Sequence, residues 1–269
     1  LYEEFYGFKI KPFSKTPDPR FLYRGRAHAE AFARLELAVE EREIALLTGE
    51  IGCGKTTISR ALVDSIEDTC KPVVIINPRL TPTQLLRTIA KRLEIENIRN
   101  NKNDLLEQLS ERIFQLDEQG INTVIILDEA QLIPSRESFE ELRLLTNFQL
   151  DERNLLTLIL IGQPELKEKL KHKSCAALLQ RIGVKYHIKP LDQSEVKEYL
   201  NFRMSVAGRQ EGLFTDSAVE LIYNLSKGVP REINTIANYA LLEGFGREAK
   251  EIDADIIRDI ASDLEFELV

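Results

Sequence analysis

An α/β fold, a parallel sheet with helices on both faces followed by a small all-helical domain, is predicted by three observations. Short apolar runs alternate with helical stretches from residue 44 to residue 188, an order that pairs strands in parallel through crossover helices. Those runs are apolar throughout rather than alternating, as strands covered on both faces require. From about Leu191 the strand signals stop and only helical segments follow. The expected division is an arm over residues 1–28, an α/β core over 29–190 and a helical lid over 191–269.

Residues 1–28 read as an irregular arm, with prolines at 12, 17 and 19 and with Phe5, Tyr6, Phe8, Phe13, Phe21 and Tyr23 spread along it. The aromatics are expected to pack the arm onto the main domain. A helix follows from about Ala27 to Glu41, with Ala31, Leu35 and Ala38 at helical spacing. Ile44 to Leu47 is the first strand and Thr56 to Val63 the helix after it. Pro72 introduces the second strand, Val73 to Ile76. Thr81-Pro82-Thr83 then signals a helix start, with Leu85, Leu86, Ile89, Ala90 and Leu93 as its apolar face. Asn97 to Asn103 is a polar loop, and Leu105 to Leu116 is helical until Gly120 stops it. Thr123 to Leu127 is the third strand and ends in Asp128-Glu129. Residues 135–148 read as a helix and Leu155 to Ile161 as the fourth strand. A basic helical stretch lies around Leu166–Lys173 and a short segment near Leu178–Ile182, before the fifth strand candidate, Val184 to Ile188. Four helices complete the chain: Asp192 to Val206, Asp216 to Ser226, Arg231 to Phe245 and Asp253 to Leu264. Asp192, Asp216 and Asp253 are the expected N-caps.

The first strand and its helix enclose Gly49-Glu50-Ile51-Gly52-Cys53-Gly54-Lys55-Thr56, which matches G-x-x-x-x-G-K-[ST]. Glycines let backbone N–H groups converge on phosphates without interference from Cβ, and the helix N-terminus adds partial positive charge. Nucleotide contacts are expected from Gly49 through Thr57, with Lys55 on the β/γ-phosphates and the Thr56 hydroxyl on Mg²⁺. One arm aromatic against the nucleotide base is the alternative to simple packing.

Composition limits what this site serves. The chain has 269 residues, 43% hydrophobic and 30% charged, with a formal net charge of −8. The arm is locally basic, with six basic against three acidic side chains, whereas residues 191–269 hold eight basic and sixteen acidic ones. That acidic end is a poor nucleic-acid surface. No apolar run approaches the roughly 20 residues needed to cross a bilayer, and no leader pattern opens the sequence. Cys53, Cys70 and Cys175 have no metal-like spacing, an odd count argues against a disulfide framework, and His28, His172 and His187 are scattered. A cytoplasmic, reducing compartment without a membrane segment is expected.

Asp128-Glu129 closes an apolar strand 73 residues after Lys55. In phosphate-loop enzymes an acid at such a strand end helps hold the metal, and an adjacent glutamate polarises the attacking water. The pair predicts hydrolysis. Charge developing on the transferred phosphoryl group is stabilised by arginines, in cis or from a neighbour. Arg181, before the last core strand, and Arg231, opening a lid helix after Gly228-Val229-Pro230, are the candidates by position.

The segments FYGFKIKPFSKTPDPRFLY, LLTGEIGCGKTT, VIILDEAQ, LILIGQPEL, LLQRI and SKGVPREIN, in that order, resemble the ExeA-like group of bacterial AAA+ ATPases. That group includes general-secretion-pathway ATPases and relatives in exopolysaccharide and pilus systems. Transposition ATPases of the TniB and MuB kind share much of its core. The resemblance runs from Phe5 to about Leu264 and implies a RecA-like P-loop core with a helical lid, ATP and Mg²⁺ as ligands, and self-association into a ring or filament. It makes Asp128 and Glu129 the Walker B pair and Gln163 the sensor-1 position. Arg181 becomes the finger reaching a neighbour's nucleotide, and Arg231 the lid's sensor-2 arginine.

Two functions are carried forward. One is an ATPase that drives or switches an assembly with protein partners of a secretion, envelope or polysaccharide system. The other is an ATP-dependent DNA-binding regulator of a transposition machine, suggested by the basic run Lys167, Lys169, Lys171 and Lys173. Those lysines alternate at spacing two and do not share one face of a helix. A nucleotide-gated scaffold with little hydrolysis is a third reading, and Glu129 argues against it.

Overall fold

The computed structural model describes residues 2–14, 16, 18–150 and 153–263. The expectations that fall on Lys15, Pro17 and Leu264 lie outside the described residues. Seven strands occur among them: β1 (Ile44–Gly49), β2 (Cys70–Ile76), β3 (Asn122–Asp128), β4 (Gln149–Leu150), β5 (Arg153–Asn154), β6 (Leu156–Gly162) and β7 (Ile182–Ile188). The helices are α1 (Tyr2–Tyr6), α2 (Arg26–Glu40), α3 (Lys55–Ile66), α4 (Pro82–Arg92), α5 (Lys102–Glu118), α6 (Arg136–Leu145), α7 (Glu165–Leu170), α8 (Ala176–Arg181), α9 (Gln193–Val206), α10 (Asp216–Ser226), α11 (Pro230–Gly246) and α12 (Ala254–Asp263). Among the described residues no helix is long and apolar enough to cross a membrane.

The chain divides into two compact units, Glu30–Glu50 with Ile58–Ile188, and Leu1–Ala29 with Ile51–Thr57 and Lys189–Val269. The first is α/β. Its five-stranded sheet has the order β2-β3-β6-β1-β7, and every pairing is parallel. Every residue of β1, β3 and β6 is buried, which is why these stretches are apolar without alternation. The edge strands carry the exceptions: β2 tolerates Pro72, whose missing N–H is least costly at an edge, and β7 exposes Lys185, which discourages pairing with another chain. β7 begins two residues before the expected Val184. Ile182 pairs with Ile44, and the register then shifts between Ile44 and Ala45, so Gly183 interrupts the apolar pattern without ending the strand.

Helices close over the sheet with the faces the spacing indicates. Leu85, Leu86, Ile89 and Ala90 of α4, Leu105, Leu109 and Ile113 of α5, and Phe139, Leu142 and Leu145 of α6 enter one apolar core with Val73, Ile125, Leu127, Leu158 and Leu160. Each fully buried large side chain there contributes roughly 1.5–3 kcal/mol. The basic helical stretch is shorter than expected. α7 ends at Leu170, and a 3-10 turn, Lys173–Cys175, follows with the His172 ring as its cap. The two-residue strands β4 and β5, paired antiparallel, carry no readable period.

In the second unit α9 to α12 bury Val196, Leu200, Ile222, Ile233, Ala237 and Ile257 around a separate core. Tyr2, Tyr6, Phe8 and Phe13 of the arm belong to that core. The arm therefore packs with the lid helices, and the expectation that it packs onto the main domain is corrected. Arg203 of α9 explains the choice. Its Nε donates to the Pro12 carbonyl at 2.6 Å and its guanidinium lies 4.6 Å from the centre of the Phe21 ring. The side chain is buried, so the carbonyl and ring faces replace the water it has lost. The arm is also less irregular than expected, since it begins with α1 and contains a 3-10 turn, Pro19–Phe21, capped by Asp18.

The caps were partly foreseen. Asp192 forms a reciprocal capping box with Glu195, and Asp253 Oδ1 accepts the N–H groups of Asp255 and Ile256. Asp216 is not a cap. Thr215 has the extended backbone a cap needs and accepts from Ala218 N, which leaves Asp216 in the first turn, where it pairs with Lys197.

Candidate active site

Within the second unit the phosphate loop is held through two of its carbonyls. The backbone N–H of Arg231 donates to the Gly52 oxygen at 3.2 Å, and His28 Nε2 lies 2.8 Å from the Cys53 oxygen. With that nitrogen protonated, His28 donates, and both carbonyls are fixed by groups outside the loop. Fixing a carbonyl fixes its peptide plane, and so the direction of the following N–H. Gly52 has φ +84, and a Cβ there would stand 2.6 Å from Arg231 Cβ and 3.1 Å from Val229 Cγ1. Only glycine satisfies both the backbone sign and the close approach. Gly54 is likewise left-handed, at φ +89, and α3 begins at Lys55.

Exposure along the loop sorts its residues. Glu50 and Ile51 are exposed, Cys53 and Lys55 are buried, and Gly52, Gly54, Thr56 and Thr57 are half-buried. Burial, outweighing the Cys53 carbonyl bond and the charge of Glu195, holds the His28 imidazole below its usual value of 6.5. Its Nδ1 is buried without a hydrogen-bond partner.

Within the first unit, parallel pairing brings the C-terminal ends of β1, β6 and β3 to one sheet edge, with Thr48 opposite Gly162 and Leu127 opposite Leu160. Asp128 is 1% exposed, and its Oδ1 accepts the N–H of Glu129 at 2.9 Å. Glu129 then takes a left-handed conformation, φ 57 and ψ 38, which turns the chain into a 3-10 segment, Ala130–Leu132. For a residue with a Cβ this conformation costs about 1–2 kcal/mol, and it swings the glutamate out of the strand's alternation. Glu129 Oε2 accepts from the side-chain amides of both Gln131 and Gln163, the latter at 3.3 Å.

Three of the residues read from the sequence, Asp128, Glu129 and Gln163, are thus brought together. Gly52, Cys53 and Arg231 form a second group around the loop. Arg181 stands apart from the acid pair. Its guanidinium donates to the Thr146 carbonyl at 2.9 Å and to the Asn147 side chain, at the end of α6. Two participants were missed. His28 was read as one of three scattered histidines, and no local pattern joins it to a loop 25 residues away. Gln131 stands two residues after Glu129, and no local pattern sets its amide apart from that of a solvated surface glutamine.

A family model described as an AAA domain matches residues 38–170. The structure is similar to that of the ORC2 protein of Aeropyrum pernix in its ADPNP–ADP complexes, with a TM-score of 0.71, 19% identity and coverage of 97% of this chain and 73% of that one. Cdc6p of Pyrobaculum aerophilum gives 0.70 at 18% identity, over 96% of this chain and 72% of that one. The RuvB branch migration motor of Thermotoga maritima gives 0.62 at 20% identity, over 91% and 70%. At these identities the likeness is one of fold, and fold and site together define the class: an AAA+ P-loop ATPase with a helical C-terminal region. In sequence the chain is 38% identical over 255 residues, 94% of its length, to general secretion pathway protein A of Aeromonas hydrophila. Its sequence is thus similar to the ExeA-like bacterial AAA+ ATPases, and it spans 46%, about half, of that relative's length.

Proposed function

We propose that this chain binds ATP with Mg²⁺ and hydrolyses it to drive or switch a self-associating assembly in a secretion, envelope or polysaccharide system. The observation that carries this reading is the phosphate loop, whose left-handed glycines and fixed carbonyls end at the first turn of α3. That arrangement suits a chain of phosphates and little else. Lys55 would hold the β/γ-phosphates, and Thr56 and Asp128 offer the hydroxyl and hard anion that Mg²⁺ prefers. When bound, the metal ion neutralises charge on the phosphate oxygens. Glu129 takes the proton of the attacking water, Gln163 orients that water, and Arg231, already against Gly52, offers a cation to the phosphates. Arg181 serves a neighbouring subunit, with Thr146 and Asn147 holding it in place. The secretion setting rests on the relative, whose name places it in that pathway.

The DNA-binding reading loses support. Lys169 is bonded to the carbonyls of Gln131 and Ile133 and Lys171 to Glu168, so half of the basic run is already engaged. ATP hydrolysis by wild type and Glu129→Gln, followed over a range of protein concentrations with and without DNA, tests all of this. Glu129→Gln should bind ATP as wild type does and turn over at least about 100-fold more slowly. Wild-type turnover in that variant would refute the assignment. Hydrolysis per subunit that does not rise with concentration would remove Arg181's role toward a neighbour. Stimulation by DNA that fades steeply with salt would restore the second reading.

A further inference from the structure

Gln131 is a buried polar side chain at the acid pair to which the proposed reaction gives no task. It is 8% exposed, and both ends of its amide are engaged. Nε2 donates to Glu129 Oε2, and Oε1 accepts the backbone N–H of Gln163 at 3.1 Å. The side chain of Gln163 donates to the same Glu129 oxygen, so the three residues form a closed ring of hydrogen bonds. The sequence makes room for it at Gly162. A Cβ there would stand 2.7 Å from Gln131 Oε1 and 2.8 Å from Leu166 Cδ2, so β6 admits both the amide and the start of α7 only where its last residue has no side chain. The turn that carries Gln131 is held from its other side. Lys169, on α7, donates Nζ to the carbonyls of Gln131 and Ile133, the latter at 3.0 Å.

We propose that Gln131 is a positioning residue for Glu129, and that Lys169 sets the position of Gln131 from α7. This rests on the hydrolytic reading above. A glutamate has three rotatable bonds, and a general base must hold one oxygen within hydrogen-bond reach of the water it deprotonates. Asp128, with a shorter side chain, is fixed by an adjacent backbone N–H. Glu129 has its orientation supplied by two amides, which fill the lone pairs of Oε2 and leave Oε1 as the oxygen that faces water. Hydrogen bonds to a carboxylate are strong enough to hold such a geometry. Because Lys169 anchors the turn to α7, a partner that displaces α7 changes the rate without touching the nucleotide.

The test compares steady-state ATP hydrolysis, fluorescent-nucleotide affinity and thermal midpoint in wild type, Gln131→Ala, Gln131→Met, Lys169→Met and Lys169→Arg, with Glu129→Gln as reference. Gln131→Ala should lower kcat roughly 10- to 100-fold, the range expected for a misplaced reacting group, with affinity and thermal midpoint close to wild type. Gln131→Met, which keeps the side chain's length and removes both ends of its amide, should give the same signature and serves if Gln131→Ala fails to fold. Lys169→Met should lower kcat less, and Lys169→Arg should restore it. A kcat that is unchanged or raised in Gln131→Ala overturns the proposal, a rise meaning that the amide restrains the glutamate. Parallel losses of rate, affinity and stability also overturn it, because they mark a structural role only. A wild type without turnover, or one indifferent to Glu129→Gln, overturns the hydrolytic reading and this inference together; unaffected Gln131→Ala in an active protein overturns this inference alone.

Discussion

The phosphate loop and Glu129 are held by opposite means. The loop is shaped through its backbone, by an N–H from Arg231 and an imidazole from His28, groups that share its helical unit. Glu129 is shaped through its side chain, by the amides of Gln131 and Gln163 just past the ends of β3 and β6. On the proposed reading, the grip on the phosphates and the placing of the general base thereby fall to different parts of the molecule. Substitutions around the loop should change nucleotide affinity, and substitutions along the ends of β3 and β6 should change the rate at saturating ATP.

The largest effect that sharpens this contrast belongs to Lys55→Ala. Loss of the buried ammonium should weaken ATP binding by about 100-fold or more, roughly 2.7 kcal/mol, as measured by nucleotide titration. A comparable loss in Glu129→Gln would break the contrast. Gly52→Ala comes next. The left-handed backbone alone costs an alanine about 1–2 kcal/mol, and the contact with Arg231 adds to it, so affinity should fall roughly tenfold while kcat at saturation stays near wild type. An affinity unchanged by that methyl group would show that Arg231 moves aside freely.

The smallest effect concerns His28. His28→Ala removes a hydrogen bond worth about 1 kcal/mol, which predicts ATP binding weaker by roughly fivefold, and His28→Gln should recover part of it. The same residue gives a pH signature. Its folded value is depressed, so below 6.5 the unfolded chain binds the proton more readily than the folded one. Stability present above 6.5 is therefore lost as pH falls through the ordinary histidine value and down through the lower folded one. Thermal midpoints between pH 8 and pH 5 should decline less in His28→Gln than in wild type, and equal declines would place the imidazole's titration elsewhere.

Much of the architecture was legible because it depends on composition within a window of a few residues. β1, β3 and β6 announced themselves as unbroken apolar runs, and the glycine spacing of the loop follows from local backbone chemistry. The acid pair could be read because it terminates such a run. What escaped depends on encounters between distant residues. No local property of the arm says that Phe8 and Phe13 will meet α9 to α12 instead of the sheet; the buried Arg203 that draws the arm in is nearly 200 residues away. The same holds for His28 and the Cys53 carbonyl. Gln131 differs, because its neighbours were in view; only the left-handed turn at Glu129 reveals that its amide reaches back to the acid.

The helical unit is drawn from both extremes of the sequence, Leu1–Ala29 and Lys189–Val269, together with the loop residues Ile51–Thr57. That arrangement has a consequence for biogenesis. On the ribosome, the arm and the phosphate loop emerge long before the helices with which they share a core. Sheet strands can pair while synthesis continues, since domains tend to fold as their own residues become available. The loop cannot take its final shape until Arg231 has been made. A nascent chain stalled near residue 190 would carry a formed sheet and an unfinished phosphate grip, so the loop's shape waits for helices made well over a hundred residues after the loop itself.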